Sequence, residues 1–576
     1  MIIQILVKMS KIYIFLFFTS VLFAQDSSMN RQDRKYCNTY FLAEKYKMLD
    51  DYELALKKYM ECIKLYPDEP SAYFEAAKIL FTNSNYEDAI TYVNKAAEIE
   101  PNNKWHLFLL IQLYSSQFDY ESEAKTWENL LEIEPFNIEF YFDCAIAYLE
   151  MGDLKKALKT LSNYEKNVGY NEDIFSLKSK IFNEQEDYKK QVKVLEKGIA
   201  IFPNSILLLE DLAKYYIQKS EYDLANSIYS KIVKINPNNS TALLASYTIL
   251  KNKNRTEDSK KILKKVIDSP NINEQKKQEI LYEIMVKEEE LNFYYNDIPY
   301  LFESCISLYP QSSFFYTVLA DFYSLDKQYL LARDNYFKAL QLEKNSSVIW
   351  ERYIYMSLLQ SNYNQAIIDS DLAIEKFPLQ GSFYYYKGLS QFYQEKYRSA
   401  VTTLNSGLLY IIDDNWLLTV VHETLGNAYH ELAELDSSQE YHNMSDESYE
   451  KALSYSPNNP YILNNYSYYL SLRGENLLLA KDMIEKCISL STTPNPSFLD
   501  TYAWVLYKLE NYTEAEKIIK KCIDFGGDSA IIYEHYGDIL MGLGLTNKAI
   551  LQWEKALEKE PLNNDLKQKI FRSKND

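Results

Sequence analysis

Apolar and polar residues alternate at a helical period along nearly the whole chain, and the helices this predicts come in pairs. In residues 70–103, PSAYFEAAKILFTNSNYEDAITYVNKAAEIEPNN, the side chains of Tyr73, Ala76, Ala77 and Leu80 share one face of a first helix. Ala89, Ile90, Val93, Ala96 and Ala97 share one face of a second, with polar Asn83 to Asn85 between the two. Pro101 stops the second helix, because its ring removes a donor and clashes with the preceding turn. Neither helix can cover its apolar stripe alone. Packed together they cover part of it, and the remainder requires a neighbouring copy.

The copies are present, in register. Pro67, Pro101, Pro135, Gly169, Pro203 and Pro237 follow one another at intervals of 34 residues. The beat slips near 270, resumes at Pro310, Lys344 and Pro378, slips again near 440, and ends with Pro457, Pro494, Gly527 and Pro561. Small residues keep the same time. Ala43, Ala77, Ala145, Ala320, Gly388, Gly426 and Gly537 stand at one slot of the first helix, and Ala55, Ala89, Ala157, Ala332 and Ala549 at one slot of the second. Small side chains at fixed slots let two helices approach where they cross. A polar residue followed by tyrosine marks the loop between them: Asp51-Tyr52, Asn85-Tyr86, Asp187-Tyr188, Asn362-Tyr363.

This pattern resembles the tetratricopeptide repeat (TPR) family, whose 34-residue helix-turn-helix units stack into a right-handed superhelical solenoid. The resemblance covers residues 36–561 as about fifteen units, and it implies an all-α fold. The stretches LNNYSYYLSLRG, LDTYAWVLYKLENYTEAEKIIKKCID and IYEHYGDILMGLGLTNKAILQWEKAL are similar to terminal repeats of secreted or envelope TPR proteins of Gram-negative bacteria. The family's ligands lie along a concave wall lined by first helices, and the fifth residue of each unit points toward it. Tyr40, Phe74, Phe108 and Phe142 hold that slot in four consecutive units; Glu351, Tyr385, Glu423, Asn464, Asp500 and Glu534 hold it later. The implied wall has apolar anchors first and then an acidic lining suited to Lys or Arg; the competing reading is that the aromatics pack between units. A clamp for a C-terminal carboxylate, known in the family, is not expected. Asn427 and Asn465 stand at its asparagine slots, but Glu423 replaces its first lysine, and Ser497 and Thr501 its last basic pair.

Two departures divide the chain. Residues 271–312 form an irregular, over-long unit without the usual small residues and with Pro299 inside its second helix, a joint between the block at 36–270 and the block at 313–561. An insertion lies near 434–445. Each reads either as a drifted repeat with a longer loop, which a solenoid tolerates, or as a hinge or docking site. Residues 562–576 are polar with one apolar turn and are expected to cap the last open face.

At the other end, residues 1–24 have the pattern of a secretory signal: Lys8 and Lys11, an apolar run from Ile12 to Phe23, and a small residue, Ala24, before Gln25. The run is shorter than the roughly 20 residues that span a bilayer. An uncleaved anchor is the alternative, since Ile2 to Val7 is apolar as well. Gln25 rather than a cysteine directly follows Ala24 and Cys37 is too far downstream, so the lipoprotein pattern is missing, and a soluble periplasmic protein is expected, with residues 25–35 a flexible lead-in.

Composition narrows the partners. The formal charge of −19 disfavours nucleic acid, which needs a basic stripe to displace counterions, and anionic membrane surfaces; it permits a basic protein or peptide partner. The 53 tyrosines and the scarcity of glycine (13) fit a coding bias, with a tyrosine-built binding surface as the alternative. No Gly-rich phosphate loop, nucleophile elbow or Cys/His ligand spacing is found, so no enzyme activity, cofactor or metal is expected. His422-Glu423 and His430-Glu431 lie eight residues apart, not the four that place two ligands on adjacent turns, and are expected to be surface histidines. Cys62, Cys305, Cys487 and Cys522 share a slot that alanine fills in other units, and are expected as buried thiols rather than disulfides. The reading is a non-catalytic scaffold for protein–protein interaction in envelope assembly or secretion. The alternative is an accessory subunit positioning a separate cell-wall enzyme.

Overall fold

The computed structural model describes residues 30–254 and 257–575; the leader at 1–24 lies outside the described residues. Among those described there is no strand, and the fold is an all-α solenoid of about fifteen helix-turn-helix units. Most helices run 13 or 14 residues, as Pro70–Thr82 and Tyr86–Ile99 do. The chain divides into two compact units, one ending at Asn271 and the other beginning at Ile272.

The loop inside each pair repeats in backbone geometry more strictly than in sequence. Asp50, Ser84, Phe118, Gly152, Glu186 and Ser220 all have φ between 56° and 81°, and Lys327, Ser361 and Glu395 repeat it in the second unit. The next residue's N–H then reaches back over the helix end, Asp51 to Tyr46 O at 2.9 Å and Asp153 to Tyr148 O at 2.8 Å. This is the left-handed closure that satisfies the last carbonyls of a helix. The polar residue before each tyrosine is the N-cap of the second helix. Asp51, Asp119 and Asp187 each accept from the backbone N–H three residues on; the cap satisfies one of the helix's orphan donors.

The alanine slots are where the helices cross. Ala43, Ala77, Ala145, Ala55, Ala89 and Ala157 are fully buried. Glycine takes the slot where the facing residue is large: a Cβ on Gly426 would come within 2.9 Å of the Tyr449 ring, and one on Gly537 would overlap the Trp553 indole. Cysteine works the same way. The thiols of Cys487 and Cys522 approach Pro460 O at 3.1 Å and Pro496 O at 3.2 Å, the first residue of the partner helix in each case. Burial pushes both thiols, and those of Cys62 and Cys144, up to about 12, which keeps them protonated. No disulfide joins these four.

Units are stapled to their neighbours by buried polar groups. Arg333 in helix Tyr329–Leu342 donates to Asp369 at 2.8 Å, to the Tyr353 hydroxyl at 2.6 Å and to Ser357 at 2.9 Å, so three successive helices share one guanidinium. In the first unit, buried Lys178 meets Glu165 at 2.9 Å.

Several expectations change. The first helix, Arg31–Met48, begins inside the segment expected to be a flexible lead-in, because Asn30 and Asp33 close a reciprocal capping box. Pro299 falls in the first turn of a helix rather than its interior: the second half of its unit is broken into Glu288–Tyr294, a 3-10 turn at Tyr295–Asp297 and Ile298–Leu308, and at the start of the last the proline has no donor to lose. The insertion at 434–445 is not a longer loop. It extends both helices of its pair, to Asn415–Asp436 (22 residues) and Gln439–Tyr455 (17 residues), leaving only Ser437 and Ser438 between them. At the end of the chain, helix Asn564–Asn575 buries Leu566 and Ile570 against the cluster of Leu540, Ile550 and Trp553.

Candidate partner-binding surface

The structure separates the four aromatics expected on the binding wall. Phe74 and Phe108 come together. They line a cavity of about 670 Å³ between the consecutive first helices Pro70–Thr82 and Lys104–Ser116, with Phe81, Trp105 and Ile111 on its walls, Trp127 from Tyr120–Ile133 below, and Lys78 also contributing. Phe108 stands edge-on to Trp105 at 5.9 Å and to Phe140 of the following unit at 5.8 Å. Phe74 is 5.0 Å from the His106 ring, and the Lys78 ammonium lies 5.4 Å over its face. Both phenylalanines are therefore half-buried, serving the packing between units with one face and the cavity with the other. Tyr40 packs edge-on against Tyr59 at 5.5 Å, and Phe142 rests on the core; neither joins the cavity.

The exposed aromatic of the cavity is not among the residues singled out from the sequence. Trp105 is 64% exposed. It occupies a slot that Ser71, Glu139 and Asp173 fill in neighbouring units. A large aromatic where the repeat asks for a solvated residue was the signal available.

The carboxylates expected to line the wall differ in what they touch. Glu351 accepts from Ser382 Oγ and from Gln380 Nε2 at 3.1 Å. Asp500 is buried and bonded to His535 Nδ1 at 2.9 Å, with Trp504 stacked on that imidazole at 4.0 Å. Glu534 lies 3.5 Å from Lys569 of the terminal helix. Each of these three carboxylates is in contact with the next unit of the same chain, Glu534 while still 32% exposed. Glu423 differs: half-buried, near Tyr385 and Tyr449, it has no ion pair among the described residues, and burial pushes its carboxyl above the usual range. Tyr385 is itself pushed up by burial, and Asn464 bonds to Asn465 at 3.2 Å. Asn427 accepts from the hydroxyls of Tyr449 and Tyr469, which removes it from any clamp.

The histidines are also not on the surface. His106, His422, His430 and His535 are all buried. Burial holds His422 and His430 down to about 4, hence neutral near pH 7.

Comparison with known proteins agrees with the geometry of the repeats. Tetratricopeptide-repeat family models match residues 46–104 and 426–459, so the chain carries repeats of that kind. No curated protein matches. Among solved structures the chain is similar to one in the Naa15/Naa10 complex bound to HypK-THB (16% identity, 92% of this chain and 90% of that one covered, TM-score 0.34). It is also similar to one in the APC/C hetero-tetramer Cut9–Hcn1 (13%, 94% and 96%, 0.29) and to yeast Tom70 (17%, 88% and 95%, 0.30).

Proposed function

We propose that this chain is a non-catalytic scaffold that binds a partner polypeptide along its first helices, with the cavity around Phe74, Trp105 and Phe108 holding a large apolar side chain of the partner. The observation that carries this is Trp105, an exposed indole on the wall of an aromatic pocket whose other walls the repeat already holds rigid. Aromatic anchors supply large contact area at low entropic cost, and a pocket rimmed by Lys78 suits an apolar side chain with a carboxylate nearby. Tetratricopeptide repeats serve protein–protein interaction generally, which supports the reading. The finer proposal is that the work is done in the bacterial envelope, in assembly or secretion, on the strength of the leader pattern at 1–24. Among the described residues no helix is long and apolar enough to cross a membrane.

The test is a photo-crosslinking amino acid at position 105 in the full chain, expressed in a Gram-negative host, with position 57 on a second helix as control. The expected result is a discrete polypeptide adduct at 105 absent from 57, on a protein whose mature N-terminus is Gln25. Equal adducts at both positions would refute the pocket, and an intact N-terminus would refute cleavage of the leader.

A further inference from the structure

The lengthened hairpin carries a group of side chains that the repeat does not account for. His430 and Glu434 lie four residues apart on helix Asn415–Asp436, one turn along the same face. The turn at Ser437, which has φ 47°, brings Gln439–Tyr455 back antiparallel, so that its fourth residue, His442, meets them. One ligand atom from each of the three lies within 4.8 Å of the other two, and His442 Nε2 is 3.8 Å from Glu434 Oε1.

His430 is 3% exposed, and its Nδ1, like that of His442, has no hydrogen-bond partner among the described residues. A buried ring nitrogen left unpaired is costly unless something meets it. The ring is also fixed in direction, stacked on Tyr469 with centroids 3.7 Å apart and 18° between planes. A cation lies nearby: Arg473, whose Nη1 donates to the His442 carbonyl at 3.4 Å. Its charge is met by Asp446 at 2.7 Å and by Glu475 at 3.4 Å, so the neighbourhood is not left with an uncompensated cation.

We infer that His430, Glu434 and His442 form a binding site for a divalent transition-metal ion, zinc being the best match to two imidazoles and one carboxylate. Ligands to zinc stand about 2.0–2.2 Å from the ion, so the three must draw together by a small adjustment of the exposed Glu434 and the partly exposed His442 while His430 stays in place. Three protein ligands leave a fourth position for water or for a donor from a partner. The ion would clip the two lengthened helices beyond the last crossing of their small residues. The spacing rule that rejects a site on His422 and His430 fails to see this one, because the second imidazole comes from across the turn.

The experiment uses the full chain and zinc or cobalt salts, by calorimetric titration and by the visible spectrum of the cobalt form. The expected result is one tight equivalent, a cobalt spectrum of a four- or five-coordinate nitrogen–oxygen site without thiolate charge transfer, and a rise in melting temperature with zinc. His442→Ala and Glu434→Gln, both at positions accessible enough to fold, should each weaken binding by tenfold or more. Binding that both variants leave unchanged, binding through thiolates, or no stoichiometric binding by the parent would each overturn the assignment.

Discussion

Buried polar side chains in this protein act across the boundary between one helical pair and the next, and Arg333 is the clearest case. Asp369, 3% exposed, depends on that guanidinium for its compensation. Arg333→Ala leaves a carboxylate buried and unpaired, and the expected loss is about 3 kcal/mol. A double variant with Met at 333 and Asn at 369 should recover most of it, because both charges then leave together. Denaturant midpoints measure the difference; equal midpoints for parent and Arg333→Ala would mean the pair contributes nothing. The same scale explains why residue identity misled the reading of the wall. Asp500 and Glu534 look like ligands for a basic partner, yet each is answered by a group in a later helix, His535 and Lys569. A sequence shows which residues share a slot; it does not show which partner 35 residues on has already taken the lone pairs.

The pair of helices was the most legible element, because three independent signals agree on it: the apolar period, the small residues at the crossing and the cap before each tyrosine. The turn was less legible. Its left-handed residue is glycine at 152 but Asp50, Ser84, Phe118 and Glu186 elsewhere, so composition hides a geometry that the backbone repeats faithfully. Non-glycine residues there carry a cost of about 1 kcal/mol. Glu186→Gly is therefore expected to raise stability by up to about 1 kcal/mol, and Gly152→Ala to lower it by a similar amount, with no steric cause since nothing lies within 4 Å of a Cβ at 152. Thermal melts of the two variants should shift in opposite directions; the same sign for both would show that the turn is not closed as described. The lengthened hairpin was legible only as a broken period. An insertion that lengthens both helices of a pair, the first more than the second, leaves no loop signature, and the site on His430, Glu434 and His442 follows from that geometry alone.

At the scale of the molecule, each pair leans on its neighbours, and the end pairs need cover. The terminal helix Asn564–Asn575 supplies it at one end, laying Leu566 and Ile570 over Trp553. Along the first helices Glu351, Asp500 and Glu534 are each in contact with the following unit. What remains is local: a pocket where Trp105 replaces a solvated residue beside Phe74 and Phe108. The fold was readable because it repeats, and the candidate site was readable only in part because it is a departure from the repeat. The measurement that bears most directly on this is the affinity of Trp105→Ser, by calorimetric titration, for the polypeptide captured at position 105. A loss of about 2 kcal/mol or more with an unchanged melting temperature is the predicted result. Unchanged affinity would contradict the claim that the pocket is where the partner binds.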